Sequence, residues 1–314
     1  MSYFSEVASV FSDDFPLVTT NEELALQINA KTDCDLSYVS SGCIEERKRK
    51  IDALWPAFKP YADKEFLKGI RVNFDQRCWE MYLANIFTDH FDISSSVKNH
   101  GPDYVLDDRI CVEAIACKRG ESPNGVPELY ITNPTEDKLL FVDTIPEDKM
   151  ILRITHAIHE KYAQYSRWLS SLTSVNEKSP LVIAVNTGGL GFPSPGDLPL
   201  VLKPLFGIGH RQFRKEAGRL VDSGWSGRPT ISKNNGTQID ACFFEDQKYA
   251  AISAVLFSET RTLDHSSHIG EDCIVVHNPN AKNPIDQKVF SFLDQWIEAG
   301  ESIVHRPAEI NQTF

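Results

Sequence analysis

Two acidic residues stand at the open end of a predicted β-hairpin in the stretch GPDYVLDDRICVEAIAC, residues 101–117. Residues 104–106 and 110–112 are typical of β-strands, and the acidic segment between them is typical of a turn. A turn centred on Asp108 predicts four pairs: Leu106 with Ile110, Val105 with Cys111, Tyr104 with Val112, and Asp103 with Glu113. Directly opposed carboxylates destabilise a sheet. We therefore expect a positive group between Asp103 and Glu113, and a divalent cation is the first candidate.

The elements around the hairpin must bring other side chains to these two acids. Residues 75–88 have the apolar spacing of an amphipathic helix, and residues 92–99 are predicted to form a strand. After the hairpin and a Gly-, Pro- and acid-rich loop, the pattern predicts a long helix, three strands and a closing helix at about 150–172, 180–187, 249–258, 272–279 and 287–297. Hairpin strands mixed with helical crossovers predict an α/β protein with a mixed central β-sheet flanked by helices.

The N-terminal part has a different character. Residues 1–65 are predicted to form a helical N-terminal extension packed on the core, and residues 66–314 to form the α/β domain. A capped helix start at Asn21 and a charged helix from Glu45 with one apolar edge support the helical assignment. The basic run at 47–50 is typical of a solvated helix face, with a nucleic-acid contact as the alternative.

Composition limits the classes of function. The 314 residues contain no apolar run of the length that a membrane helix needs, so no membrane association is expected. The first residues lack a basic segment, and the seven cysteines form no CxxC pair, which together predict a cytoplasmic protein with reduced thiols. A net charge of −12 argues against a general nucleic-acid binder but leaves room for a local basic groove. The oligomeric state stays open, a homodimer included.

The predicted order helix–strand–strand–strand–helix–strand, with Gly101-Pro102-Asp103 followed by Glu113, resembles the PD-(D/E)XK nuclease superfamily. The resemblance covers roughly residues 70–187 and implies a restriction-endonuclease-like αβββαβ core. It implies a Mg²⁺- or Mn²⁺-dependent phosphodiesterase that cuts nucleic acid, DNA in preference to RNA. In such a site Asp103 and Glu113 would bind the metal, with the backbone carbonyl of Ala114 as a third ligand.

Two further positions match features of that superfamily. Glu80, on the first core helix, corresponds to a glutamate that would hold metal-bound water or a second ion. Gln164, followed by Tyr165 on the long helix, corresponds to the Gln with a nearby aromatic residue in some branches.

The chain departs from the superfamily at the motif lysine, whose position is occupied by Ile115. Strand alternation places Lys118 on the opposite face from Glu113, so Lys118 is not expected to replace it. Lys161 lies within the apolar stripe of the long helix, where a lysine needs an acidic partner. We therefore expect Lys161 to act as a migrated catalytic lysine, with Lys98 in reserve.

Other interpretations remain open from the residues alone. A nuclease-like fold without catalysis, acting as a binding or structural protein, is favoured by the absent strand lysine and the acidic net charge. If the hairpin register is wrong, the chain is interpreted as an α/β protein of unrelated function. The HxxH pairs at 156–159 and 265–268 lack a third ligand, and TGGLG at 187–191 lacks a phosphate-loop pattern. The segment His277-Asn278-Pro279-Asn280 ends a strand or contacts substrate.

Overall fold

The computed structural model describes residues 4, 6–11, 15–94, 101–127, 144–171, 176–266, 268–300 and 302–309. Within these ranges the α-helices are α1 (Asn21–Ala30), α2 (Leu36–Cys43), α3 (Glu45–Phe58), α4 (Phe66–Val72), α5 (Phe74–Thr88), α6 (Glu147–Ser171) and α7 (Leu202–Phe206). The strands are β1 (Ile93–Ser94), β2 (Tyr104–Leu106), β3 (Ile110–Ala116), β4 (Leu181–Asn186), β5 (Ile208–Glu216), β6 (Arg219–Gly227), β7 (Thr230–Ser232), β8 (Gln238–Asp240), β9 (Ile252–Ser258), β10 (Ile274–His277), β11 (Asp294–Ala299) and β12 (Ser302–Arg306).

A mixed eight-stranded sheet organises the chain, in the order β1-β2-β3-β4-β9-β10-β11-β12. Strand β3 runs parallel to β4, β4 parallel to β9, and β10 parallel to β11, whereas the remaining neighbours are antiparallel. Continuous apolar runs form the central strands β4 and β9, both buried along their whole length, as expected for strands covered on both faces. The predicted mixed central sheet flanked by helices is confirmed.

Two apolar cores lie on opposite faces of this sheet. One joins α2, α3 and α5, and the other contains the buried stripe of α6. The residues of β3 alternate between them: Val112 and Ala114 belong to the α5 side, and Cys111 and Ile115 to the α6 side. Glu113 therefore points toward α6, because side chains two positions apart share a face.

The elements from α5 to β4 follow the predicted order. The hairpin register is confirmed for Tyr104↔Val112, Val105↔Cys111 and Leu106↔Ile110, and its turn holds Asp107 and Asp108 at φ values of 50° and 53°. Short acidic side chains tolerate this left-handed conformation better than most others do. The fourth predicted pair is not part of the ladder, since β2 begins at Tyr104. Residues 95–100, including the reserve lysine Lys98, lie outside the described ranges.

The predicted closing helix at 287–297 is wrong. Residues 287–290 form a single 3₁₀ turn, and β11 then pairs in parallel with β10. Gln295 and Ile297 are buried, whereas Trp296 between them is only partly so, which is the alternation of a strand. A short apolar segment is ambiguous between helix and strand. Here it forms a strand because it can pair with the edge of β10.

The sequence also failed to reveal two hairpins, β5–β6 and β7–β8. The strands of the first hairpin are almost entirely exposed and polar, so they lack the apolar alternation by which a strand is recognised. Within the described ranges, no helix combines the length and the apolar character needed to cross a bilayer.

Candidate active site

The position of Asp103 follows from the unequal lengths of β2 and β3. Strand β3 continues to Ala116, so its edge beyond Val112 has no strand partner on the β2 side. The Asp103 carboxylate takes the place of that strand, because its Oδ2 accepts a hydrogen bond from the Ala114 N–H at 2.7 Å. This bond fixes the carboxylate beside the end of the hairpin.

Gln76 of α5 completes the same edge. Its Nε2 donates to the Ala114 carbonyl at 3.0 Å, and its Oε1 accepts from the Ala116 N–H at 2.8 Å. A side-chain amide offers both a donor and an acceptor. Gln76 can therefore pair with one C=O and one N–H of the strand edge, as a neighbouring strand would. Gln76 thereby attaches α5 to the strand that carries Glu113.

Lys161 lies between the two acids. Its Nζ is 2.9 Å from Glu113 Oε2 and 3.2 Å from Asp103 Oδ2. The Glu113 side chain is fully buried and only 12% of the Lys161 side chain is exposed. The two carboxylates thus converge on one ammonium, as the sequence predicted. The positive group that offsets their repulsion in this structure belongs to the chain itself.

The electrostatics of this cluster follow from burial and from the two acids. Burial raises the pKa of Glu113 to about 8, and the charge of Asp103 acts in the same direction, whereas Lys161 opposes the shift. Burial by itself lowers the pKa of Lys161, but the attraction of Asp103 and Glu113 outweighs it, so the net shift is upward. Lys161 is therefore an ammonium in this arrangement and acts as a charged donor, not as a base.

Glu80 approaches the cluster from α5, as predicted, with Trp79 and Leu83 buried beside it in the core. Its Oε2 accepts from Arg77 Nη1 at 2.7 Å, and its Oε1 accepts from Gln76 Nε2 at 3.0 Å. Burial raises the pKa of Glu80; Arg77 opposes this, and the nearby Asp103 adds to it. Each Glu80 oxygen accepts one hydrogen bond and keeps a second lone pair, which the predicted hydrogen bond to metal-bound water would use.

A cavity of about 540 Å³ opens beside the acids. Its lining includes Asp103, Glu80, Lys161 and Gln164, together with Ile115 at the vacant lysine position. Lys118 also lines the cavity, contrary to the alternation argument, because β3 ends at Ala116 and alternation no longer applies beyond it. Glu113 is covered by Lys161 and does not line the cavity. A ligand of Glu113 must therefore displace the Lys161 ammonium.

Sequence reasoning missed Gln76, Arg77 and Arg153, which also line this cavity. Gln76 and Arg77 precede Glu80 by four and three residues, so helical spacing places all three on one face. This helical spacing is visible in the sequence and indicates that Gln76 and Arg77 accompany Glu80. For Arg153 the corresponding signal is weaker, since it lies eight positions before Lys161 on the same helix.

The oxygen atoms of Asp103 and Glu113 are of the kind that Mg²⁺ prefers as ligands. Glu113 Oε1 is buried and has no hydrogen-bond partner among the described residues, so one acid oxygen is available as a ligand. Mg²⁺ typically binds one or two carboxylates and keeps several waters. The Ala114 carbonyl has a second lone pair besides the one used by Gln76. In the described part of the chain, no group of three or more His, Cys, Asp or Glu side chains is placed to hold a metal.

No protein-family model, curated protein or solved structure matches this chain. Its function must therefore be argued from the geometry of the site.

The remaining sequence motifs have local structural roles. His277 Nε2 contacts Gln295 Oε1 at 2.7 Å, and the Asn278 and Asn280 amides donate to backbone carbonyls at 2.7 and 2.9 Å. This segment ends β10 and ties neighbouring elements together, and its residues do not line the cavity. His156 lies 3.6 Å from Glu160, and both line the cavity. His159 contacts the Tyr249 hydroxyl.

Proposed function

We propose that this protein is a metal-dependent phosphodiesterase that cuts nucleic acid, DNA in preference to RNA, through a PD-(D/E)XK-like core. One observation carries the proposal. Asp103 and Glu113, at the end of one hairpin, converge on Lys161 beside a cavity, with Glu80 and Gln164 in its wall. Two acids and a lysine at the end of paired strands are the groups that the nuclease resemblance requires.

Each residue has a defined part in this proposal. Asp103 and Glu113 would hold Mg²⁺ or Mn²⁺, with the Ala114 carbonyl as a further ligand and Glu80 hydrogen-bonded to a coordinated water. A bound ion supplies charge neutralisation at the phosphoryl oxygens and an activated water. Lys161, once it leaves Glu113, can donate to the attacking water or to a phosphoryl oxygen. Gln164 lies three residues further along α6 and can position the same water.

A nucleic-acid partner is supported by a local concentration of positive charge. We define the basic arm as residues 208–227, the hairpin β5–β6, which contains four Lys or Arg residues and two acidic ones within a chain of net charge −12. Lys215 and Arg219, near its tip, form no ion pair with an acidic residue of the described ranges. An exposed two-stranded ribbon fits the major groove of DNA. The basic arm therefore offers a local positive surface for nucleic acid on a chain whose net charge is acidic.

The test combines metal binding with cleavage. Titration calorimetry with Mn²⁺ and Mg²⁺ on the wild type, Asp103→Ala and Glu113→Gln should show binding that both variants lose. Asp108→Asn is a matched control, because it removes an acid from the same hairpin, where asparagine tolerates the left-handed conformation. A cleavage assay on DNA and RNA then follows. Unchanged metal binding by Asp103→Ala would refute the proposed site.

A second candidate is a nuclease-like fold without catalysis that acts as a binding or structural protein. The observation that favours it is that Lys161 already forms ion pairs with both acids, while Arg77 and Gln76 donate hydrogen bonds to Glu80. A wild-type chain that binds DNA but neither binds metal nor cuts any nucleic acid would select this candidate.

A further inference from the structure

Arg153 is a cation of the cavity wall for which the described residues supply no ion-pair partner. Its side chain lines the cavity eight positions before Lys161 on α6. Its Nε is buried, and it has no hydrogen-bond partner among the described residues. By contrast, Arg77 on the opposite wall is paired with Glu80 and Asp63, and Lys161 with both acids. A guanidinium that is half-buried and unpartnered is costly, so the site favours an anion that accepts hydrogen bonds.

The loop after β3 is shaped to admit this guanidinium. A Cβ atom at Gly120 would lie 2.1 Å from Arg153 Nη1, and Gly120 has a φ of +73°. Only glycine meets both demands without strain. Lys118, two residues before Gly120, also lines the cavity and is exposed. The cavity therefore carries two cations that form no ion pair within the described ranges.

We propose that Arg153, assisted by Lys118, forms a subsite for a second backbone phosphate of the nucleic-acid strand. A guanidinium presents donors in a fork that matches two phosphate oxygens. Eight helical residues separate Arg153 from Lys161 by about 12 Å along α6, which is the length of about three to four nucleotides of a stacked strand. The subsite would thus hold a phosphate a few nucleotides from the one cut. This inference rests on the proposed function for its ligand, but not on catalysis.

The experiment compares three variants of the full chain. Arg153→Ala removes the guanidinium, and Gly120→Ala keeps it but displaces it through the added Cβ. Arg167→Ala removes an exposed arginine from the same helix outside the cavity and is the control. Binding of a fluorescein-labelled 12-nucleotide single-stranded DNA, without metal, is measured by anisotropy at several salt concentrations. Thermal melting checks that each variant is folded. If Arg153→Ala does not fold, Arg153→Lys takes its place in the binding measurement.

We expect Arg153→Ala and Gly120→Ala to weaken binding about tenfold, as is usual for the loss of one charge-assisted contact, with Arg167→Ala unchanged. The salt dependence of Arg153→Ala should also fall by about 0.7 in log–log slope, the value for one phosphate on a single strand. In a cleavage assay KM should rise while kcat stays nearly constant. Arg153→Lys should fall between the wild type and Arg153→Ala.

The outcomes separate this subsite from the catalytic proposal. If the wild type binds the oligonucleotide without cutting it, and the Arg153 and Gly120 variants bind more weakly, the subsite holds while catalysis fails. If the wild type cuts DNA and the Arg153 variants bind and cut like Arg167→Ala, the subsite is refuted and the nuclease proposal stands. Absence of oligonucleotide binding by the wild type would refute the subsite.

Discussion

At the scale of single residues, the position of Lys161 sets the chemistry of the cluster. When Glu113 is ionised, one ammonium is the counter-charge of two carboxylates, of which Glu113 is entirely buried. Replacing that ammonium by a divalent cation frees the lysine without leaving either acid unpaired. The same side chain can therefore stabilise the metal-free protein and then become a donor within the cavity.

The variant Lys161→Ala tests this dual role. We expect divalent-ion binding to be retained or tightened, because Asp103 and Glu113 are unchanged and no ammonium has to be displaced. Cleavage should fall by about 10²-fold or more, the scale for the loss of one charge-stabilising donor. Single-turnover cleavage and titration calorimetry measure the two effects. Arg167→Ala on the same helix controls for loss of charge. Wild-type activity in Lys161→Ala would remove Lys161 from the mechanism and direct attention to Lys98.

The raised pKa of Glu113 predicts how metal binding depends on pH. Because that pKa is about 8, the carboxyl group is largely protonated below this pH, and the ion must displace a proton. Affinity for Mn²⁺ should fall about tenfold for each pH unit below 8 and become constant above it. Calorimetry in buffers of different ionisation enthalpy would also detect the released proton. An affinity that is the same at acidic and neutral pH would contradict this assignment of the metal ligand.

At the scale of elements, the basic arm is separate from the cluster of Asp103, Glu113 and Lys161 in both sequence and composition. Its strands expose two large apolar side chains, Phe213 and Leu220, besides the cations Lys215 and Arg219. A two-stranded hairpin gains little stability from burial of its own. An extended, cationic element of this kind is better explained by a partner than by the core.

We expect the double variant Lys215→Ala/Arg219→Ala to bind duplex DNA more weakly and with less dependence on salt. Each phosphate contact contributes about 0.9 to the log–log slope, so two lost contacts should reduce it by about 2. Lys68→Ala/Lys282→Ala removes the same charge from exposed positions elsewhere and is the control. Equal slopes for the two double variants would show that the arm does not contact DNA.

At the scale of the whole molecule, the N-terminal helices and the sheet share one apolar core. Leu54 and Trp55 of α3 lie in the same buried cluster as Phe74 and Trp79 of α5. Asn85 of α5 also donates to the Leu54 carbonyl at 2.9 Å. Since α5 carries Gln76 and Glu80, the helices before it support the candidate site from behind.

Deletion of residues 1–65 should therefore also unfold the α/β part of the chain, residues 66–314. Removing α3 exposes the apolar face of α5 to water, and loss of several large buried side chains, at about 2–5 kcal/mol each, exceeds the stability of a typical domain. We expect the cooperative thermal transition to disappear, as measured by circular dichroism against the full chain. An unchanged melting temperature would instead establish residues 66–314 as an independent domain.

The sequence alone determined the local features of the site. The register from Tyr104 to Ile110 followed from strand-forming residues around a turn, and the placement of Lys161 followed from its position within an apolar helical stripe. Both are short-range consequences of side-chain periodicity, which is a property of the chain. The need for a positive group near Asp103 and Glu113 could be deduced in the same way, but the choice between a metal ion and Lys161 could not.

Only the tertiary structure decided the features that depend on distant neighbours. Strand β11 forms because β10 offers an edge with which it can pair. Gln76 contacts β3 because β3 is longer than β2 and leaves part of its own edge unpaired. Glu80 is held by Arg77 and Gln76, and the missing Cβ of Gly120 leaves space for the Arg153 guanidinium. No periodicity encodes these relations, since each depends on backbone groups or space supplied by a segment that is remote in sequence.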